Sequence, residues 1–131
     1  MKEVAICNRY GSLVVEEIAM SNLSAHVTGE LDRAAHAGSP EAAFAHLERA
    51  HILGQYSTRD HVRVHAAMLR WGLAQRDLRE VAGQVIRIIA AATKTALGWI
   101  PVGNTGGANV SPIKPMPLPD DLAEIISRHR G

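Results

Sequence analysis

Residues 44 to 71 constrain the fold more than any other stretch, because two alanine- and leucine-rich segments are separated there only by Tyr56-Ser57-Thr58. Both segments have helix-forming composition, so the break predicts a tight reversal between antiparallel helices. The first carries Glu48 and His51 three residues apart, and the second carries His61 and His65 four residues apart. Either spacing keeps both members of a pair on one helix face.

Similar punctuation organises the rest of the chain. A first helix is expected from about Asn22 to Ala37, stopped at Gly38, where glycine suits a left-handed cap. Ser39-Pro40-Glu41 opens the second helix with a serine cap, a first-turn proline and an early acid, and that helix ends near Gly54-Gln55. Ser57 or Thr58 caps the third, which runs to about Ala74, and Asp77-Leu78-Arg79-Glu80 offers a capping-box-like restart. The fourth helix, from Leu78 to about Leu97, distributes Leu78, Val81, Val85, Ile86, Ile88 and Ile89 so widely around its circumference that it is expected to be the most buried element. After Gly98, the run Trp99 to Asn109 is too rich in glycine, proline and asparagine to stay helical. The segment Ser111 to Pro119 should be extended, and Asp120 or Asp121 should cap a last short helix with Leu122, Ile125 and Ile126 facing inward.

The expected fold is therefore all-α: four main helices in antiparallel hairpins, as a bundle or in helical-repeat fashion, with a Pro/Gly-rich C-terminal wrap and a short terminal helix. Residues 21–131 form one helical domain in this reading. Residues 1–20 form an N-terminal extension, a weak hairpin about Asn8 to Gly11, a mobile segment or a leader ahead of Met20.

Composition excludes several classes. At 131 residues the chain can bury a core without disulfides or a structural metal. The net charge of +1, from 14 basic and 13 acidic residues spread along the length, gives no basic stripe for nucleic acid or an anionic membrane. A single cysteine, Cys7, allows neither an internal disulfide nor a Cys-rich zinc site. No apolar run approaches the roughly 18–20 residues that span a bilayer, and a cytoplasmic location is expected.

The histidines carry the chemistry. A helix rises about 1.5 Å per residue, so positions equidistant from the turn lie level: His51 with His61 or Val62, and Glu48 with His65. Four metal-binding groups can thus converge in one interface, with Glu30 of the first helix as a fifth candidate. Imidazoles with a carboxylate suit a divalent transition metal such as zinc, iron or copper better than calcium or magnesium. Only one Glu-x-x-His motif is present, which favours a mononuclear site over a di-iron pattern. Gln84 and Arg87 of the fourth helix come level with the region of His65 and Met68, and Arg87 there calls for a carboxylate such as Glu48 or Glu30. Either histidine pair alone is better explained by plain core packing; the mirror placement of both about one turn, on inward stripes, brings the metal reading level with it.

The string Leu47-Glu48-Arg49-Ala50-His51-Ile52-Leu53-Gly54-Gln55, followed by His61, His65, Met68-Leu69, Gly83-Gln84, Arg87, Pro101, Gly103-Asn104-Thr105-Gly106-Gly107 and Pro115-Met116-Pro117, resembles a small bacterial family known only as a domain of unknown function. The resemblance covers about Glu30 to Leu122. It implies a compact helical fold and carries no assigned activity.

Three functions fit these residues. The first is a metal-binding helical protein for metal handling or sensing, using Glu48, His51, His61 and His65, with Glu30 in reserve. The second is a helical-hairpin interaction module whose histidines are packing and whose Pro-rich C-terminal segment meets a partner or forms a homodimer. The third is a small metal-dependent enzyme holding an anion at the Gly103 to Gly107 loop. Catalysis is the weakest of these, since no nucleophile with a base and an orienting group can be assembled.

Overall fold

A computed structural model describes residues 23–94 and 97–130. The expected weak hairpin near the N-terminus lies outside the described residues. The chain forms five helices, α1 (residues 23–35), α2 (Pro40–Gly54), α3 (Thr58–Gln75), α4 (Leu78–Lys94) and α5 (Asp120–Arg130), and no strand occurs among the described residues.

Local signals explain the boundaries. The Ser39 hydroxyl accepts from the Ala42 amide at 3.1 Å, with Pro40 in the first turn of α2. Ser57 caps α3 in the same way, accepting from the Asp60 amide. At the next corner Arg76 takes a left-handed φ of 58° and the Asp77 amide donates back to the Gly72 carbonyl at 2.9 Å, a glycine-type ending built on an arginine. The Asp77 carboxylate then accepts from the Glu80 amide at 3.0 Å and starts α4.

The helices pack as antiparallel hairpins, with α3 lying against both α2 and α4 and α5 returning to α2. The apolar core gathers Leu23 and Val27 of α1, Leu47, Ala50, Ile52 and Leu53 of α2, Val64 and Met68 of α3, and Leu122 of α5. Phe44 and Trp71 stack at its edge with centroids 4.5 Å apart, and the Trp71 indole donates to the Pro40 carbonyl.

Contrary to the expectation of deepest burial, α4 is turned with its apolar side outward. Leu78, Val85, Ile86 and Ile89 are exposed, Ile86 by 69%, while Glu80, Gln84, Arg87 and Ala91 are buried. Those four share one face at spacings of four, three and four residues, and that face meets α3 and the loop after α4. Apolar residues all round a helix cannot say which side will be covered. Here the buried polar stripe serves the histidines, as the site geometry makes plain.

The segment from Trp99 to Pro119 wraps back over α2, α3 and α4. Asn104, 1% exposed, organises it: its Nδ2 donates to the carbonyls of Ser111 and Lys114, each at 2.7 Å, and its Oδ1 accepts from the Gly106 amide at 3.0 Å.

Candidate metal centre

The α2–α3 turn brings His51, His61 and His65 together, all buried, with ring centroids 4.7–4.8 Å apart in each pair. One ligand nitrogen from each lies within 4.8 Å of the others. Helical register about a short turn accounts for this: His51 stands one turn before the end of α2, and His61 and His65 occupy the first two turns of α3.

Hydrogen bonds fix the rings. His51 Nδ1 donates to the Asn104 carbonyl at 2.7 Å, leaving its Nε2 as an acceptor at 2.9 Å from His61 Nε2. His65 Nδ1 donates to Gln84 Oε1 at 2.5 Å. Gln84 is oriented in turn, since its Nε2 donates to Glu80 Oε1 and to the Gly106 carbonyl. Glu80 is anchored by the Ala108 amide at 2.9 Å. Imidazoles that donate a hydrogen bond from Nδ1–H to an oxygen and turn Nε2 inward have the tautomer a metal needs.

Electrostatics keep His51 and His65 neutral. Burial, then the neighbouring His65 and His61, push His51 well below the ordinary histidine range. Burial, then His61, lower His65 to about 3, with the Gln84 hydrogen bond opposing and Arg87 adding a lesser downward push. Neutral nitrogen donors are therefore present at neutral pH.

A small cavity of about 20 Å³ opens beside the rings, bordered by the three histidines, Arg87, Trp99, Pro101 and Gly106. That is room for one water-sized ligand. Gly106, at φ +82°, closes one wall so tightly that a Cβ there would come within 2.5 Å of the His51 ring.

The two carboxylates considered with the histidines stand elsewhere. Glu30 is buried against Arg33, His46 and Arg49, with Nδ1 of His46 at 2.7 Å and Nε of Arg49 at 3.0 Å. Burial works to raise its pKa, but those three donors outweigh it and hold the carboxyl below its ordinary range. Glu48 is half-buried, outside the three-histidine group, and is raised by burial and by the charge of Glu80. Arg87 finds neither of them: it donates to the Val110 carbonyl at 2.5 Å and feels Glu80. Level register put Gln84 near His65 from sequence alone. The role of Asn104 was not readable, because it acts on His51 through a main-chain carbonyl.

The remaining histidines have ordinary surroundings. His46 belongs to the Glu30 cluster, His36 lies 3.5 Å from Asp32, and His26 lies against His129 with centroids 5.3 Å apart.

Fold and site together define an all-α protein with a buried three-histidine cluster between two antiparallel helices. The chain belongs to DUF3703, a family of proteins of unknown function, whose model matches residues 21–126. Comparisons with curated proteins and with solved structures gave no match. No helix among the described residues is long and apolar enough to cross a membrane.

Proposed function

We propose that this protein binds one divalent transition metal ion through His51, His61 and His65, and that it handles or senses that metal in the cytoplasm. One observation carries the reading: three buried imidazoles converge, and His51 and His65 have Nδ1 committed to oxygen acceptors, so that Nε2 lone pairs face the cluster. Packing alone gives little reason to bury three polar rings against one another, since each brings polar nitrogens that need partners. Three nitrogen donors suit zinc, iron or copper, each at about 2.0–2.1 Å from nitrogen for zinc-like ions, and not the oxygen-seeking calcium or magnesium. Elemental analysis of protein purified without chelator tests it, beside His51→Ala/His65→Ala. Near-stoichiometric metal that disappears in a variant of unchanged helical content supports the reading. Absence of metal from both, after reconstitution with zinc, iron and copper, would sink it.

A second reading, an interaction module, draws on the outward face of α4. Leu78, Val85, Ile86 and Ile89 are exposed there, and Leu97, Trp99, Val102 and Ile113 are exposed in the segment that follows. Apolar side chains exposed along one helix face support an interface there. A charge-poor face cannot select a partner by charge, but it can pair with its own copy through a two-fold axis, which needs like to meet like. Sedimentation equilibrium of the native chain and of Ile86→Glu/Ile89→Glu tests the homodimer: a native dimer made monomeric by the substitution is expected, and a monomeric native chain refutes it.

A further inference from the structure

The three-histidine cluster contains no acidic group, and the one charged side chain bordering its cavity is a cation. Arg87 is only 9% exposed, and its Nε–H has no hydrogen-bond acceptor. A buried guanidinium donor without an acceptor is a costly arrangement that a bound ligand would relieve.

Charge balance leads to the same place. Glu80 is the carboxylate that feels Arg87, and both its oxygens are already engaged, by Gln84 Nε2 and the Ala108 amide. A divalent ion on three neutral imidazoles would add two positive charges beside Arg87, with no anionic ligand among the cluster residues. Such charge is not left uncompensated in a buried site. The glycine-rich loop does not supply an anion nest at Gly106, since that amide is held by Asn104 Oδ1.

We propose, resting on the metal reading above, that the cavity is an anion subsite: a compact inorganic anion takes the metal's fourth position, displacing water, and accepts a hydrogen bond from Arg87 Nε. Size sets the selectivity. About 20 Å³ beside the rings admits one donor atom. The rest of a slender anion must extend toward the mouth, where Trp99 is more than half exposed. Hydroxide and linear or monatomic anions fit; tetrahedral sulfate does not.

Cobalt(II) reports coordination by its visible spectrum, so the full-length protein is loaded with cobalt and titrated with azide at constant ionic strength, with sulfate as the bulky control. The expected result is a saturable spectral change with azide and none with sulfate. Arg87→Met should weaken azide at least tenfold at unchanged cobalt stoichiometry, and Arg87→Lys, which keeps the charge, should weaken it less and guards against misfolding of the first variant. Stoichiometric cobalt with no azide response, or with equal azide affinity in both variants and the native chain, overturns the anion subsite and leaves the metal reading standing. Failure to take up cobalt at all removes both.

Discussion

Glu30 shows how a single residue's surroundings separate structural from chemical roles. Its buried carboxylate gathers Arg33, His46 and Arg49, and Arg49 also reaches Asp121 of α5, so that one arginine of α2 ties the acids of α1 and α5. Removing that charge leaves a single neutral oxygen to meet three donor side chains. Glu30→Gln should lower stability at pH 7 by about 2 kcal/mol, the scale of hydrogen bonds to charged groups. The sign with pH follows from the depressed pKa. Its stabilising effect is fully present above the ordinary value of 4.5 and is lost as pH falls through the lower folded value. Urea denaturation at stepped pH should therefore find the gap between native and variant closing below about pH 4.5. A constant gap would mean that shape, not charge, matters at this position. Gly106 makes the complementary point at the three-histidine cluster. Both its φ of +82° and the nearness of the His51 ring forbid a side chain, whereas Gly98, at φ +76°, has nothing within 4 Å of a built Cβ. Gly98→Ala should cost only backbone strain, about 1–2 kcal/mol. Gly106→Ala should cost that and also displace His51, so that metal content falls although every ligand is kept. Melting temperature and metal content of the two variants, measured side by side, separate strain from displacement.

At the scale of elements, the α2–α3 hairpin was legible because everything that shapes it is local. Ser39, Pro40 and Ser57 set the helix starts, a short turn sets the register, and register alone aligns His51 with His61. The same reasoning put Glu48 level with His65 and Glu30 near Glu48, but height along an axis does not fix azimuth. Glu30 is drawn to the guanidinium groups around it, and Glu48 stays outside the cluster. The facing of α4 was not legible, since its apolar residues surround the helix and its buried stripe is polar. That stripe depends on partners remote in sequence, Gln84 on His65 and Gly106, and Glu80 on Ala108. Its purpose can be tested through Gln84. Gln84→Leu keeps the volume but leaves His65 Nδ1 without its acceptor and frees the ring to turn. Loss of such a supporting contact typically weakens metal affinity 10–100-fold. A competition titration against a chromophoric chelator should show a loss in that range, and unchanged affinity would mean that packing alone orients His65.

For the whole molecule, the centre joins parts of the chain that the apolar core does not. The main apolar cluster draws on α1, α2, α3 and α5, with Leu118 packed against it, whereas α4 packs along α3 and, with the loop after it, adds polar contacts to His51 and His65. An ion held by His51, His61 and His65 would therefore brace the junction of α2 and α3 with the loop and α4. Binding to the folded chain alone adds stability by mass action, about 2.7 kcal/mol when free metal is a hundredfold above Kd. For a chain of this length that corresponds to roughly 10 °C in melting temperature. Stripping the metal with a chelator should lower the melting temperature of the native protein by that order and leave His51→Ala/His65→Ala unmoved. The distribution of the effect is the sharper test. Because the Asn104 carbonyl holds His51 and Gln84 holds both His65 and Gly106, amide exchange should slow on metal binding from residue 101 to 110 and in α4 more than in α1, whose contacts are to the apolar core and the Glu30 cluster. Uniform protection along the chain would instead indicate that the ion stabilises the fold as one body, and that the loop and α4 are not specifically braced by the site.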